Sequence, residues 1–199
     1  KGRCGEESTF AVTAYRSVGI AARQVYTPRW AHCDDNHAWV EVFVDGEWHF
    51  LGACEPEEVL DTGWFSGPAN RAILIHTRNF SDYVKESNEE YLGKEGALYY
   101  FNHTDFYGRT KLVKILVKDE NGKPAAGAHI AVEILNMAEF FPAAVMIADA
   151  DGEVRMTLGL GDIRVRAFDG IRREEAMMRI EEEDSLELVL REEAVPGGG

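Results

Sequence analysis

Apolar positions near the start of the chain recur with a helical step. Phe10, Ala11, Ala14, Tyr15 and Val18 predict an amphipathic helix with that face turned inward. Gly5-Glu6-Glu7-Ser8 precedes them, with two acids suited to a first turn, and Gly19 suits the stop. The pattern then changes to short runs. Ala22–Tyr26 reads as a strand, followed by a loop, Thr27-Pro28-Arg29-Trp30-Ala31-His32. Trp39–Val44, Asp45-Gly46 and Trp48–Leu51 read as a hairpin, because Asp-Gly between apolar runs is a strong short-range turn signal. Trp64–Asn70 is a turn, and Ala72–Thr77 a strand with His76 at its end, a core or edge histidine. Residues 78–98 are polar and mixed and read as a connector with at most a helical turn or two.

From about Tyr107 short strands alternate with turns. They are Lys111–Val117, Ala128–Leu135, Ala143–Ala148, Val154–Leu158, Ile163–Phe168, Arg172–Ile180 and Ser185–Leu190. This spacing predicts an antiparallel β-sandwich. Asp149-Ala150-Asp151-Gly152-Glu153 lacks the further spaced acids of a calcium loop and reads as a hairpin turn. Glu181–Asp184 reads as a solvated turn and Gly197–Gly199 as a frayed tail. The fold class is therefore α+β, a helix on an antiparallel sheet followed by an all-β module, with domains expected at residues 1–98 and 107–192.

Length and charge narrow the function. With 199 residues the chain accommodates two domains. Its formal net charge of −14 argues against nucleic acid as a partner and against an anionic membrane surface. No apolar run reaches the length of a membrane span, so direct membrane insertion is not expected. Cys4, Cys33 and Cys54 are an odd number, which is no disulfide framework, although Cys33 and Cys54 are free to pair. His32, Cys33, His37 and Cys54 contain one Cys-x3-His spacing but no second close pair, so neither a metal nor another cofactor is expected.

Cys4 opens the first helix and His37 opens a strand. A helix N-terminus favours a thiolate through its free N–H groups and macrodipole. An imidazole within reach takes the thiol proton and hands it to a leaving amine. Glu6 and Glu7 oppose the thiolate unless they point to solvent. Trp30 and Arg29 are candidates to line a substrate cleft, or Trp30 caps the core. Asp34-Asp35-Asn36, just before His37, reads as a solvated turn.

These residues carry a resemblance. Gly2-Arg3-Cys4-Gly5-Glu6 before a helix, then His37-Ala38-Trp39-Val40-Glu41-Val42-Phe43-Val44-Asp45-Gly46-Glu47-Trp48, resembles the transglutaminase-like (papain-like thiol) superfamily over about residues 2–60. The resemblance implies that Cys4 is the acyl-accepting nucleophile and His37 its base. It also implies helices and strands upstream of the cysteine. In that family an aspartate fifteen residues after the histidine orients it, and position 52 here is Gly52. Three arrangements stay open. Glu55 or another carboxylate takes the role, with Glu55 the first candidate; a backbone or amide oxygen takes it; or the site has left catalysis. Lys118–Ala128 resembles bacterial Ig-like or carboxypeptidase-regulatory-like modules, whose role is support or binding. Together these imply a cysteine acyl-transferase or hydrolase acting on a peptide, protein or cell-wall glycopeptide, outside or in the envelope of a bacterium. The other readings are a lapsed fold that binds peptide or glycan, and a structural module of a larger surface protein.

Overall fold

The computed structural model describes residues 2–80 and 88–192; the expected Gly197–Gly199 tail lies outside them. The predicted helix forms as α1, Cys4–Ser17. Its start is held by Arg3 N, which donates to Glu6 Oε2 at 2.7 Å, as a first-turn acid should. The buried face differs from the one the periodicity predicted. Phe10 and Val18 are 76% and 73% exposed, while Ser8 is fully buried. Ala11 and Tyr15 of the predicted set do pack inward, joined by Val12, which was not in it. Ser8 tolerates burial because its hydroxyl donates to the Cys4 carbonyl, one turn back.

β1, Ala22–Thr27, and the hairpin of β2, His37–Val44, and β3, Glu47–Leu51, follow as expected. After a four-residue helix α2, Ser66–Ala69, the chain departs from the prediction. Residues 72–75 are buried but lie in no strand, and β4 begins only at His76 and runs to Phe80. The expected connector contains β5, Glu90–Glu95, which pairs with β6, Leu98–Asn102; its residues 81–87 lie outside the described part. The resulting sheet is antiparallel, in the order β3-β2-β1-β4-β6-β5, and continues past residue 98 to Asn102. α1 packs against β1 and β2. β4 lies beyond the strands it covers.

A short helix α3, Thr104–Tyr107, leads into seven strands. They are β7, Thr110–Asp119; β8, His129–Asn136; β9, Glu139–Ile147; β10, Glu153–Gly159; β11, Asp162–Phe168; β12, Arg173–Arg179; and β13, Ser185–Leu190. They form two sheets, β10-β7-β13 and β12-β11-β8-β9. One pairing corrects the all-antiparallel expectation: β13 runs parallel to β7. Inward residues of both sheets share one core, with Val113, Ile115 and Met156 from one and Ile130, Val132 and Val165 from the other. The Asp149–Glu153 turn is closed by the Asp149 carboxylate, which accepts from the N–H groups of Asp151 and Glu153 at 2.9 Å each.

The first sheet is joined directly to the two later ones. Gly159 N donates to Ile73 O at 2.8 Å, and a Cβ at Gly159 would lie 1.8 Å from Ala72 O, so only glycine permits this approach. Glu90 accepts from Thr157 N at 3.0 Å, and Asn102 Nδ2 donates to Thr157 O at 2.6 Å. Asn136 at the end of β8 holds the loop before β2, through Trp30 O, Cys33 O and Asp35 N. That loop is therefore not the freely solvated turn expected for Asp34–Asn36, since Asp34 also accepts from Met137 N at 2.9 Å.

Candidate active site at one end of the first sheet

Cys4 is half-buried at the N-terminus of α1. Gln24 on β1 fixes that end of the helix, its Nε2 donating to Gly5 O at 2.9 Å. Two residues on, Tyr26 shares Gln24's face of the strand and feels the Cys4 charge. Cys54, just past β3, also feels Cys4 and hydrogen-bonds Glu7. Burial, then the Glu7 hydrogen bond and charge, then Glu55 and Cys4, push the Cys54 thiol up to about 12. Cys54 therefore stays a thiol and its proton occupies Glu7. Of the two acids expected to oppose a Cys4 thiolate, Glu6 is committed to Arg3 and Glu7 to Cys54.

His37 pairs with Thr27 at the start of β2. Strand alternation turns its side chain to the face opposite α1, together with Trp39. Cys4 and His37 thus lie on opposite faces of the sheet, and no hydrogen bond joins them among the described residues. The imidazole stacks beside Trp39 at 5.8 Å and contacts Phe65 at 5.1 Å and Trp64 at 4.8 Å between centroids. Its Nε2 is buried without a hydrogen-bond partner, a costly state that marks a place for a polar group. Burial pushes the His37 pKa down, opposed by the charges of Glu55 and then Asp35. The ring is consequently neutral near neutral pH, the form a general base needs.

Position 52, where the resemblance would put an aspartate, is closely packed. Gly52 is buried, and a Cβ there would lie 3.1 Å from Glu55 O and 3.4 Å from Phe65 Cε1. The chain folds back over Gly52, and a side chain there would require that turn to give by a few tenths of an ångström. The same turn carries Glu55 into the electrostatic neighbourhood of both His37 and Cys54. Glu55 does not hydrogen-bond His37; its Oε2 accepts from Trp64 Nε1 at 3.2 Å.

Two expected cleft residues are elsewhere. Trp30 is 1% exposed and stacks parallel to Trp39 at 6.3 Å, so it forms the wall behind His37 rather than a surface for substrate. Arg29 lies over the Phe141 ring at 4.3 Å, facing β9, and donates to Pro28 O at 3.0 Å. The aromatic that does border the site is Trp64, 53% exposed over His37. The sequence showed it only as part of a turn. Its one signal was a large aromatic in a polar loop. Cys33 is exposed and unpaired.

A family model of the Transglutaminase-like superfamily matches residues 1–53. The match takes in Cys4, His37 and the β2–β3 hairpin and ends before Glu55. Among curated proteins nothing matches the chain.

Behind His37 the same face holds a buried polar cluster. Glu41, fully buried, accepts from Arg23 Nε at 2.7 Å, His103 Nδ1 at 2.8 Å and Tyr107 Oη at 2.6 Å. Tyr107 Oη in turn accepts from Trp39 Nε1 at 2.8 Å. Burial raises the Glu41 pKa, but the His103 hydrogen bond and the Arg23 charge outweigh it and leave the carboxyl ionised below its usual range. This cluster fixes the Trp39 ring against which His37 stacks.

Proposed function

We propose that the chain is a transglutaminase-like thiol acyl-transferase or hydrolase that cleaves peptide or protein amide bonds. The observation that supports this reading is Trp64, whose Nε1 donates to Glu55 Oε2 at 3.2 Å while its ring lies 4.8 Å from that of His37, so a carboxylate sits near the candidate base. In this reading the Cys4 thiolate, its proton passed to His37, attacks the amide carbonyl carbon. Free N–H groups at the start of α1 face the developing oxyanion. The C–N bond breaks, and the His37 imidazolium gives its proton to the departing amine. Water then attacks the thioester, loses a proton to His37, and releases the acid and the Cys4 thiol. Glu55 stands in for the absent aspartate by stabilising the imidazolium. Neither metal nor cofactor takes part in this scheme. The strands after residue 107 serve as an Ig-like supporting or binding module, and the substrate is a peptide, protein or cell-wall glycopeptide at a bacterial surface.

A second reading is a binding fold that has lost turnover. The lack of a Cys4–His37 hydrogen bond among the described residues favours it, although such bonds often tighten only when substrate is bound. Alkylation by iodoacetamide, followed at each cysteine by mass spectrometry from about pH 5 to 9, separates the two. The catalytic reading expects Cys4 to react faster at low pH than exposed Cys33, and to lose that advantage in His37→Ala. Equal pH dependence at Cys4 and Cys33 in the parent overturns it.

A further inference from the structure

Because α1 covers β1 and β2, a cleft opens between the helix and β4. Its volume is about 290 Å³, and its lining includes Thr9, Thr13, Arg16, Gln24, Arg78 and Phe80. Two of its lining residues are arginines and none is acidic, on a chain whose net charge is −14. Arg78 is the inner one. Its guanidinium lies over the Tyr26 ring at 4.0 Å and near Tyr100 at 5.9 Å. No carboxylate pairs with it among the described residues, and its Nε is buried without a hydrogen-bond partner. A guanidinium held flat on an aromatic ring, with donors unused, suits bidentate recognition of a carboxylate.

The position of Arg78 relates it to Cys4. It pairs with Gln24, whose amide holds both Gly5 O and Thr9 Oγ1. From Cys4 to Thr9 is five residues of helix, about 7.5 Å at 1.5 Å per residue. Thr9 lines the cleft together with Arg78, so that spacing, about two residues of extended peptide, is the span from Cys4 to the near wall of the cleft. We propose that Arg78 anchors a carboxylate of the acyl-donor peptide, about two residues from the amide that Cys4 attacks. The proposal rests on the reading of Cys4 as nucleophile and adds a substrate class to it: peptides with a free C-terminal carboxylate or an acidic side chain at that place.

Affinity labelling tests it without knowledge of the natural substrate. Bromoacetyl-Ala-Ala as the free acid, the same compound as carboxamide, and bromoacetyl-Ala-Glu carboxamide are compared on the full chain, with alkylation of Cys4 and Cys33 followed separately. The free acid or the Glu compound should label Cys4 about tenfold faster than the neutral amide, with no such preference at Cys33. Which of the two is faster tells the terminal from the side-chain carboxylate. Arg78→Gln should abolish the preference while leaving the iodoacetamide rate of Cys4 unchanged, and Arg78→Lys should keep part of it. Equal rates for acid and amide at a Cys4 that still outpaces Cys33 toward iodoacetamide overturn the anchor alone. An ordinary iodoacetamide response at Cys4 overturns the nucleophile reading instead. A preference that persists in Arg78→Gln also removes the anchor.

Discussion

Trp64 Nε1 donates to Glu55 Oε2 at 3.2 Å, and the same indole lies 4.8 Å from the His37 ring. The indole therefore sets where the Glu55 charge sits relative to the imidazole. Glu55 raises the His37 pKa against the larger lowering by burial. Removing that charge in Glu55→Gln should move the His37 pKa further down, and Trp64→Phe, which frees the carboxylate, should act in the same direction by less. Titration of the His37 ring protons by NMR measures both. An unchanged His37 pKa in Glu55→Gln would show that the two groups do not interact.

Restoring the family's aspartate should not improve the site. In Gly52→Asp the new Cβ meets Glu55 O at 3.1 Å and Phe65 Cε1 at 3.4 Å. The turn must shift by a few tenths of an ångström at the Glu55 backbone to admit it. The expected cost is about 1–3 kcal/mol of stability, as for other overpacked cores, read as a lower urea midpoint, with slower alkylation of Cys4. A stable variant with faster alkylation would mean that the turn is pliant and that Glu55 is dispensable.

Acid should destabilise the fold through its histidines. Burial, then the Arg78 charge, lowers the His76 pKa to about 3, and His37 is shifted the same way. The unfolded chain binds these protons first, near pH 6.5. Stability is therefore full above about pH 6.5 and falls as the pH drops toward 3, with His76 alone worth on the order of 5 kcal/mol over that window. Urea midpoints against pH should show a shallower decline in His76→Leu than in the parent. Identical slopes would remove His76 from the account.

How much of this could be read from the sequence depends on where each element finds its partners. β7 alternates cleanly, with Val113, Ile115 and Val117 buried and Leu112 57% exposed, so periodicity alone located it and its successors. β5 could not be found that way. It lies at the edge of the sheet, is only half-buried, and its Glu90 is spent on Thr157 N, far along the chain. The face of α1 was misread because Phe10 and Val18 are exposed while a serine is buried. Cys4 and His37 announced themselves through local motifs. Trp64 and the role of the Gly52 turn did not, because both arise from how residues 52–65 fold back on β3. Asn136 contacts a loop about a hundred positions earlier, and no local pattern encodes that.

The Glu41 cluster should be the most sensitive polar feature of the fold. Glu41 is 0% and Arg23 4% exposed, and Arg23 also pairs with Glu89 at 2.6 Å. Glu41→Gln leaves the buried Arg23 and the half-buried His103 facing a neutral amide. Removing one partner of a buried pair costs about 3–5 kcal/mol when the remaining charge is left alone; Glu89 still compensates Arg23 in part, so the loss should fall below that range. Arg23→Met alone should also destabilise, since Glu41 then keeps only His103 and Tyr107. The double variant removes both charges together, so its loss should be clearly smaller than the sum of the single losses. Denaturant midpoints of the four proteins give this coupling directly. Trp39 and Tyr107 are tied to the same carboxylate, so Glu41→Gln should also loosen the ring behind His37 and broaden its NMR signals. Additive losses with a sharp His37 resonance would mean that Arg23 and Glu41 stabilise the sheet independently and that the cluster does not support the site.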